Sequence, residues 1–118
     1  MAAKDNYRFF RLEARDLLAR IDQTLPQLQQ PAVDTRRAAS ERLVYLMHTL
    51  KGAAAVVGLK DIAAAAYSME TLLRAHPCAQ EMLSPEVLGQ LAESQALITT
   101  GVAELIPAPV ADAVRSDR

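Results

Sequence analysis

The spacing of apolar residues along the chain predicts helices rather than strands. In the first predicted helix, which opens at Asp5 as an N-cap residue, apolar side chains recur every three or four positions. Pro26 follows at the point where this helix is expected to kink or to end, near Leu25. The apolar stripe of the segment consists of Tyr7, Phe10, Ala14, Leu17, Leu18, Ile21, Leu25 and Leu28.

A second helix is predicted to begin near Asp34 or Thr35 and to continue through Val57. Gly58 is expected to end it, because glycine readily adopts the left-handed conformation that terminates many helices. Apolar residues repeat along it at alternating steps of three and four, which is typical of a seam that packs against other helices. That seam consists of Leu43, Leu46, Leu50, Ala53 and Val57.

The third predicted helix runs from about Asp61 to His76, where Pro77 stops it. It presents an apolar inner face made of Ile62, Ala65, Ala66, Met69, Leu72 and Leu73. No Gly-rich phosphate loop and no alternating strand pattern lies between these helices.

Three consecutive residues predict the start of the fourth helix. Ser84 is a cap, Pro85 is a first-turn proline, and Glu86 is an acid near the positive end of the helix dipole. Its stripe consists of Val87, Leu88, Leu91, Ile98, Val102 and Leu105. The pattern predicts an all-α fold, an antiparallel up-down four-helix bundle over residues 1–106. Residues 107–118, with two prolines and a polar end, are expected to form a linker or tail.

Composition narrows the classes of partner. The 118-residue chain has a formal net charge of −1, which gives no basic excess to attract nucleic acid or an anionic membrane. No segment reaches the roughly 20 apolar residues of a membrane span, and no signal peptide is evident. The single cysteine, Cys78, cannot form an internal disulfide. We therefore expect a monomeric cytoplasmic protein without a metal site.

His48 lies in the middle of the second predicted helix, and its direction matters for function. At 100° per residue, the apolar seam lies on the opposite side of this helix, so the imidazole is predicted to face solvent. An exposed imidazole that a partner can reach suits a nucleophile that carries a phosphoryl group. The residues on the same side as His48 are Glu41, Val44, Tyr45, Lys51, Gly52 and Ala55.

Gly52 is unexpected inside a helix, where glycine costs about 1 kcal/mol relative to alanine. Two explanations are open. Glycine can allow another helix to pack closely, or, together with Ala55, it can leave the flank of His48 clear for a partner. Lys51, three residues after His48, can place an ammonium group near an anion carried by the imidazole.

The segment His48-Thr49-Leu50-Lys51-Gly52, followed by Gly58, resembles the signature of histidine phosphotransfer (HPt) domains. The resemblance extends over FFRLEARDLLARI and YSMETLL and covers the chain up to about Leu105. It implies a phosphocarrier of two-component phosphorelays, in which His48 takes phosphate from a histidine kinase catalytic domain and passes it to a response-regulator receiver domain. ATP and a divalent metal ion would then bind to those partner domains and not to this chain.

Among such domains the sequence is most similar to the amino-terminal phosphotransfer domain of chemotaxis-type (CheA-like) kinases. The resemblance implies that Glu70 accepts a hydrogen bond from Nδ1 of His48 and so activates the other ring nitrogen. Tyr67 departs from the pattern, since a second histidine is common at that position. Its phenol can supply a hydrogen bond but not the titration of an imidazole. The resemblance further suggests that Val44, Tyr45 and Ala55 belong to the docking surface.

Two other classes of function use a helical bundle of this kind. A non-catalytic helical adaptor would bind a signalling partner without phosphorylation of His48, although the presence of the histidine disfavours it. A metal-binding bundle would carry inward-facing Glu-x-x-His pairs, and the sequence contains none. His76, the other histidine, lies at a helix end where a partly cationic ring is mildly favoured, so we expect a structural role for it.

Overall fold

The computed structural model describes residues 6–77 and 81–105, and across these two ranges it contains helices and no strand. The α-helices are α1 (Arg8–Thr24), α2 (Val33–Val56), α3 (Lys60–Ala75) and α4 (Pro85–Ala103), and a 3₁₀ helix (Leu25–Gln29) follows α1 directly. Helix α2 packs against α1 and α3, while α4 packs against α3 and α1. The predicted all-α antiparallel four-helix bundle is confirmed.

The core of the bundle forms from the predicted apolar stripes. Leu43, Leu46 and Leu50 of the α2 seam are buried, whereas Ala53 and Val57 at its end are only half-buried. Burial of each large aliphatic side chain contributes roughly 1.5–3 kcal/mol, so this seam is a main source of stability. The largest fully buried side chains are Ile21, Leu28, Leu43, Met47, Leu50, Met69, Leu73, Leu91 and Ile98.

The predicted start of the first helix is wrong. Helix α1 begins at Arg8, because the backbone of Tyr7 (φ −113°, ψ 11°) lies outside the helical region, and Asp5 itself lies outside the described residues. The predicted end is confirmed, since α1 stops at Thr24 and Pro26 occupies the first turn of the 3₁₀ helix. That short helix keeps the chain against the bundle, and it buries Leu28 completely.

The other helix ends fall within one or two residues of the predictions. Helix α2 begins at Val33, and the chain turns at Gly58, whose φ of 78° confirms the expected left-handed terminator. Helix α3 is displaced by one residue at each end relative to 61–76. The backbone N–H of Val87 donates to Ser84 Oγ at 3.2 Å, which confirms the predicted cap of α4. The predicted tail over residues 107–118 and Cys78 lie outside the described residues.

The order of the helices decides what surrounds the outward face of α2. Because α2 packs between α1 and α3, a side chain on that outward face has one neighbouring helix on each side. None of the helices in the described ranges combines the length and the apolar character needed to cross a membrane.

Candidate functional site

His48 lies on the outward face of α2, as the sequence predicts. Its side chain is 63% exposed, whereas Met47 and Leu50, on the other side of the same helix turn, are completely buried. The core residues fix the rotation of the helix, and that rotation directs the imidazole into solvent. A docking protein can therefore reach the ring.

A buried carboxylate stands beside the exposed imidazole. Glu70 lies on the α3 face that packs against α2, and only 5% of the residue is exposed. Its Oε2 atom is 3.4 Å from Nδ1 of His48, which places the carboxylate on the side of the ring away from Nε2. The structure thus brings together the two residues that the resemblance paired.

Two cations share the carboxylate of Glu70 with the imidazole. Lys51 places Nζ 3.1 Å from Oε1, while Arg74 donates to Oε2 from Nε at 3.2 Å and from Nη2 at 3.0 Å. The Lys51 ammonium also lies 5.1 Å from the centre of the Tyr67 ring, within the range of a cation–π contact. In this structure Lys51 therefore pairs with Glu70, and Tyr67 contributes through the face of its ring.

The charges around Glu70 determine its ionisation. Burial by itself raises the pKa of Glu70, but Lys51, Arg74 and His48 outweigh that effect and hold the pKa below its ordinary value of 4.5. An ionised carboxylate can only accept hydrogen bonds, so the ring nitrogen that faces it is the one that carries the proton. A neutral imidazole that carries its proton on Nδ1 is the tautomer that fits this acceptor, and it leaves the lone pair on Nε2.

The lowered pKa of Glu70 has a consequence for stability that can be measured. Because the folded-state pKa lies below 4.5, the ionised carboxylate stabilises the fold above that pH, and this contribution is lost as the pH falls through the folded-state value. We expect the free energy of unfolding of Glu70→Gln to depend less on pH in this acidic range than that of the wild type. Urea titrations at a series of pH values measure it, and Glu13→Gln, at an exposed position, is the control. Equal pH dependence in wild type and Glu70→Gln would contradict the prediction.

Gly52 leaves open space beside His48. A Cβ atom built on Gly52 would meet nothing within 4 Å, so no neighbouring helix requires glycine there. Of the two explanations drawn from the sequence, close helix packing is excluded, and clearance for an approaching partner is the one that fits.

An apolar groove between α1 and α2 begins at this clearing, and we call it the α1–α2 groove. Its most exposed apolar members are Phe9 (82%) and Val56 (86%). A large exposed phenylalanine next to an exposed valine is a feature of interaction surfaces. The groove is lined by Phe9, Phe10 and Glu13 of α1 and by His48, Thr49, Gly52, Ala53, Val56 and Val57 of the α2 segment.

Of the three docking residues suggested from the sequence, two are exposed and the third is half-buried. Tyr45 and Ala55 are exposed on the outward face of α2, whereas Val44 is half-buried and packs against the core. Val44 lines a depression with Leu73 and Arg74 on the α3 side, away from the α1–α2 groove.

Sequence reasoning missed Arg74, Phe9 and Val56. Arg74 follows Glu70 by four residues, which is the spacing of an ion pair on one helix face, so this partner was detectable. Phe9 falls outside the buried stripe of α1, and an apolar residue outside such a stripe is the available signal for a surface role. Val56 is eight residues after His48, which is about two helical turns, so the helical spacing could also have placed it beside the site.

No cluster of three His, Cys, Asp or Glu residues suited to a metal ion occurs in ranges 6–77 and 81–105. His76 forms the C-terminal cap position of α3, where its backbone N–H donates to the carbonyl of Leu72 at 3.1 Å. The chemistry of the described surface therefore concentrates at His48 and the groups around Glu70.

Comparison with known proteins gives one match. No curated protein and no solved structure matches the chain. A family model described as "Hpt domain" matches residues 6–105, the span from the start to the end of the described structure. Such domains serve as phosphocarriers in phosphorelay signalling and work with kinases and response regulators. The match covers most of the sequence and includes all four helices, and the chain belongs to the Hpt domain family.

Proposed function

We propose that His48 is the phosphoacceptor of this domain and that it passes phosphate from a histidine kinase to an aspartate of a receiver domain. One observation carries the proposal: the exposed imidazole has a buried, ionised carboxylate 3.4 Å from Nδ1. This arrangement leaves Nε2 as a solvent-facing nucleophile.

The two transfer steps follow from that ring geometry. In the first, the Nε2 lone pair attacks the γ-phosphorus of ATP held by the kinase, an N–P bond forms, and the bond to the β-phosphate oxygen breaks to release ADP. The Nδ1 proton stays in place beside Glu70 and offsets the charge of that carboxylate. In the second step the receiver aspartate attacks the phosphorus, and the N–P bond breaks to return neutral His48.

Lys51 is suited to stabilise the phosphorylated state. It lies one turn after His48 on α2 and is already near the imidazole through their common partner Glu70. A phosphoryl group on Nε2 brings negative charge to the exposed side of the ring. The ammonium group can move toward that charge, because Lys51 is partly exposed and has a flexible stem.

The surface around His48 fits an approaching partner domain. Gly52 and Ala55 leave the ring uncovered, and the α1–α2 groove offers Phe9 and Val56 as apolar contacts. Tyr45, exposed on the same face, extends this surface. A small apolar area with charged groups at its edge suits a transient complex, in which the partner must leave after each transfer.

The likeness to the phosphotransfer domains of CheA-like kinases leads us to propose a chemotaxis-type kinase as the source of phosphate. The chain offers no Gly-rich phosphate loop in its sequence, so ATP and its metal ion are assigned to the partner domains. The Glu70 carboxylate next to Nδ1 of His48 supports the likeness to CheA-like domains. Tyr67 departs from that likeness, because a second histidine is common at its position.

A two-stage assay tests the proposal without the cognate kinase. The purified domain is incubated with phosphoramidate, whose P–N bond can transfer a phosphoryl group to an imidazole with release of ammonia. We expect a mass increase of one phosphoryl group that is labile in acid and stable in alkali, and its loss when a receiver domain and Mg²⁺ are added. A protein that takes up no acid-labile phosphate from phosphoramidate or from a kinase domain, yet binds receivers, would instead be a non-catalytic adaptor.

A further inference from the structure

We infer that Arg74 is a positioning residue of the phosphotransfer site, which keeps Glu70 aimed at Nδ1 of His48 when Lys51 turns to the phosphoryl group. The inference rests on the proposed role of His48. Of the two cations around Glu70, Arg74 stays bound to the carboxylate and Lys51 moves to the phosphoryl group.

Arg74 binds the carboxylate of Glu70 through two hydrogen bonds. Its guanidinium donates two hydrogen bonds to Oε2, from Nε at 3.2 Å and from Nη2 at 3.0 Å. That oxygen is also the one that lies 3.4 Å from Nδ1 of His48. Two donors from one planar group restrict the rotation of the carboxylate more than a single ammonium contact does. Arg74 therefore fixes the oxygen that the imidazole needs.

Lys51 contacts the other oxygen of the carboxylate. Its Nζ atom is 3.1 Å from Oε1 and 5.1 Å from the centre of the Tyr67 ring. An ammonium on a flexible stem is a single point charge with rotatable donors, so it is less constrained than a planar guanidinium. Lys51 can therefore turn toward a new anion on Nε2 without displacing the two hydrogen bonds from Arg74 to Oε2.

Departure of Lys51 would leave a buried carboxylate with less compensating charge. Glu70 is 5% exposed, and an unpaired carboxylate at such a site tends to take up a proton. A protonated Glu70 would no longer hold the Nδ1 proton of His48 as an anionic acceptor does. Arg74 approaches from α3, one turn after Glu70, and its position does not depend on Lys51. Its two hydrogen bonds also lower the pKa of Glu70, so they favour the ionised carboxylate after Lys51 has turned away.

The test compares three arginine variants. Arg74→Ala removes both the charge and the two hydrogen bonds, whereas Arg74→Lys restores the charge without the planar fork. Arg20→Ala is the matched control, because Arg20 forms an exposed i,i+4 ion pair with Asp16 at 3.1 Å. It lies ten residues, about 15 Å, along α1 from Phe10, which lines the α1–α2 groove beside His48. Circular dichroism and thermal unfolding verify that each variant folds.

The first readout is the tautomer of His48, measured by ¹⁵N NMR on histidine-labelled protein and assigned with His48→Gln. We expect Arg74→Ala to lower the fraction of neutral imidazole that carries its proton on Nδ1, with Arg74→Lys between it and the wild type. The second readout is the rate of phosphorylation by phosphoramidate, which should fall about tenfold in Arg74→Ala, the scale typical of groups that orient a reacting side chain. Arg20→Ala should match the wild type in both.

An unchanged tautomer fraction and rate in Arg74→Ala would overturn the inference, and so would an equal loss in Arg20→Ala. Failure of the proposed function has a different signature, since wild-type His48 would then take up no phosphoryl group. The tautomer comparison needs no phosphorylation, so it tests Arg74 in either case.

Discussion

Replacement of His48 by glutamine is expected to abolish phosphorylation of the domain while the bundle stays folded. Glutamine has no imidazole nitrogen that can form the N–P bond, so the rate should fall by more than about a thousandfold, the scale on which loss of a nucleophile acts. The side chain is 63% exposed and contributes nothing to the core, and therefore the free energy of unfolding should change little. Labelling with phosphoramidate and urea unfolding measure the two effects.

His76→Gln is the matched control, because it removes the other histidine of the chain from the end of α3. Phosphoramidate is a small donor that can reach any exposed imidazole, and the comparison separates site-directed labelling from chemical background. We expect His76→Gln to retain wild-type labelling. Acid-labile phosphate that persists in His48→Gln and disappears in His76→Gln would contradict the assignment of the phosphoacceptor.

The helices and the direction of His48 could be predicted because one physical rule governs both. Burial of the seam that includes Leu43 and Leu50 fixes the rotation of α2, and His48, on the far side, then faces solvent. The same rule could not place the start of α1. That boundary depends on the local backbone of Tyr7, which periodicity does not encode.

The surroundings of His48 were harder to predict because they depend on which helix lies on which side of α2. A helical wheel places Val44 and Gly52 about 40° to opposite sides of His48, but it does not show which neighbouring helix lies on either side. In the bundle α3 covers the flank of Val44, whereas the flank of Gly52 opens into the α1–α2 groove. The role of Arg74 likewise emerges only when α3 is packed against α2 and Glu70 becomes buried.

The two flanks of His48 differ in chemistry, and this difference separates the ionic groups of the site from the surface that contacts a partner. The α3 flank holds the charged groups nearest Nδ1, namely Glu70, Lys51 and Arg74. The α1 flank holds apolar groups that can contact a partner without disturbing those charges. We therefore expect a kinase and a receiver to approach His48 from the α1 side without contacting the Glu70–Arg74 ion pair.

The second large effect is expected at Gly52, where stability and transfer should change in opposite directions. A Cβ atom on Gly52 meets open space, so Gly52→Ala should stabilise the domain by about 1 kcal/mol through helix propensity alone. For a domain of this size that gain raises the melting temperature by roughly 4–8 °C. Gly58→Ala provides the contrast, because its φ of 78° makes a side chain cost about 1–2 kcal/mol although space is also available there.

A larger side chain at the same position tests what the open space is for. Gly52→Leu should fold, since its side chain extends into solvent beside His48, but it should obstruct a docking domain. We expect transfer of phosphate to a receiver domain to slow by about tenfold or more, which corresponds to about 1.4 kcal/mol. Labelling by phosphoramidate, a donor small enough to pass the leucine, should change little. A Gly52→Leu protein that transfers to receivers at the wild-type rate would show that partners do not approach His48 across this clearing.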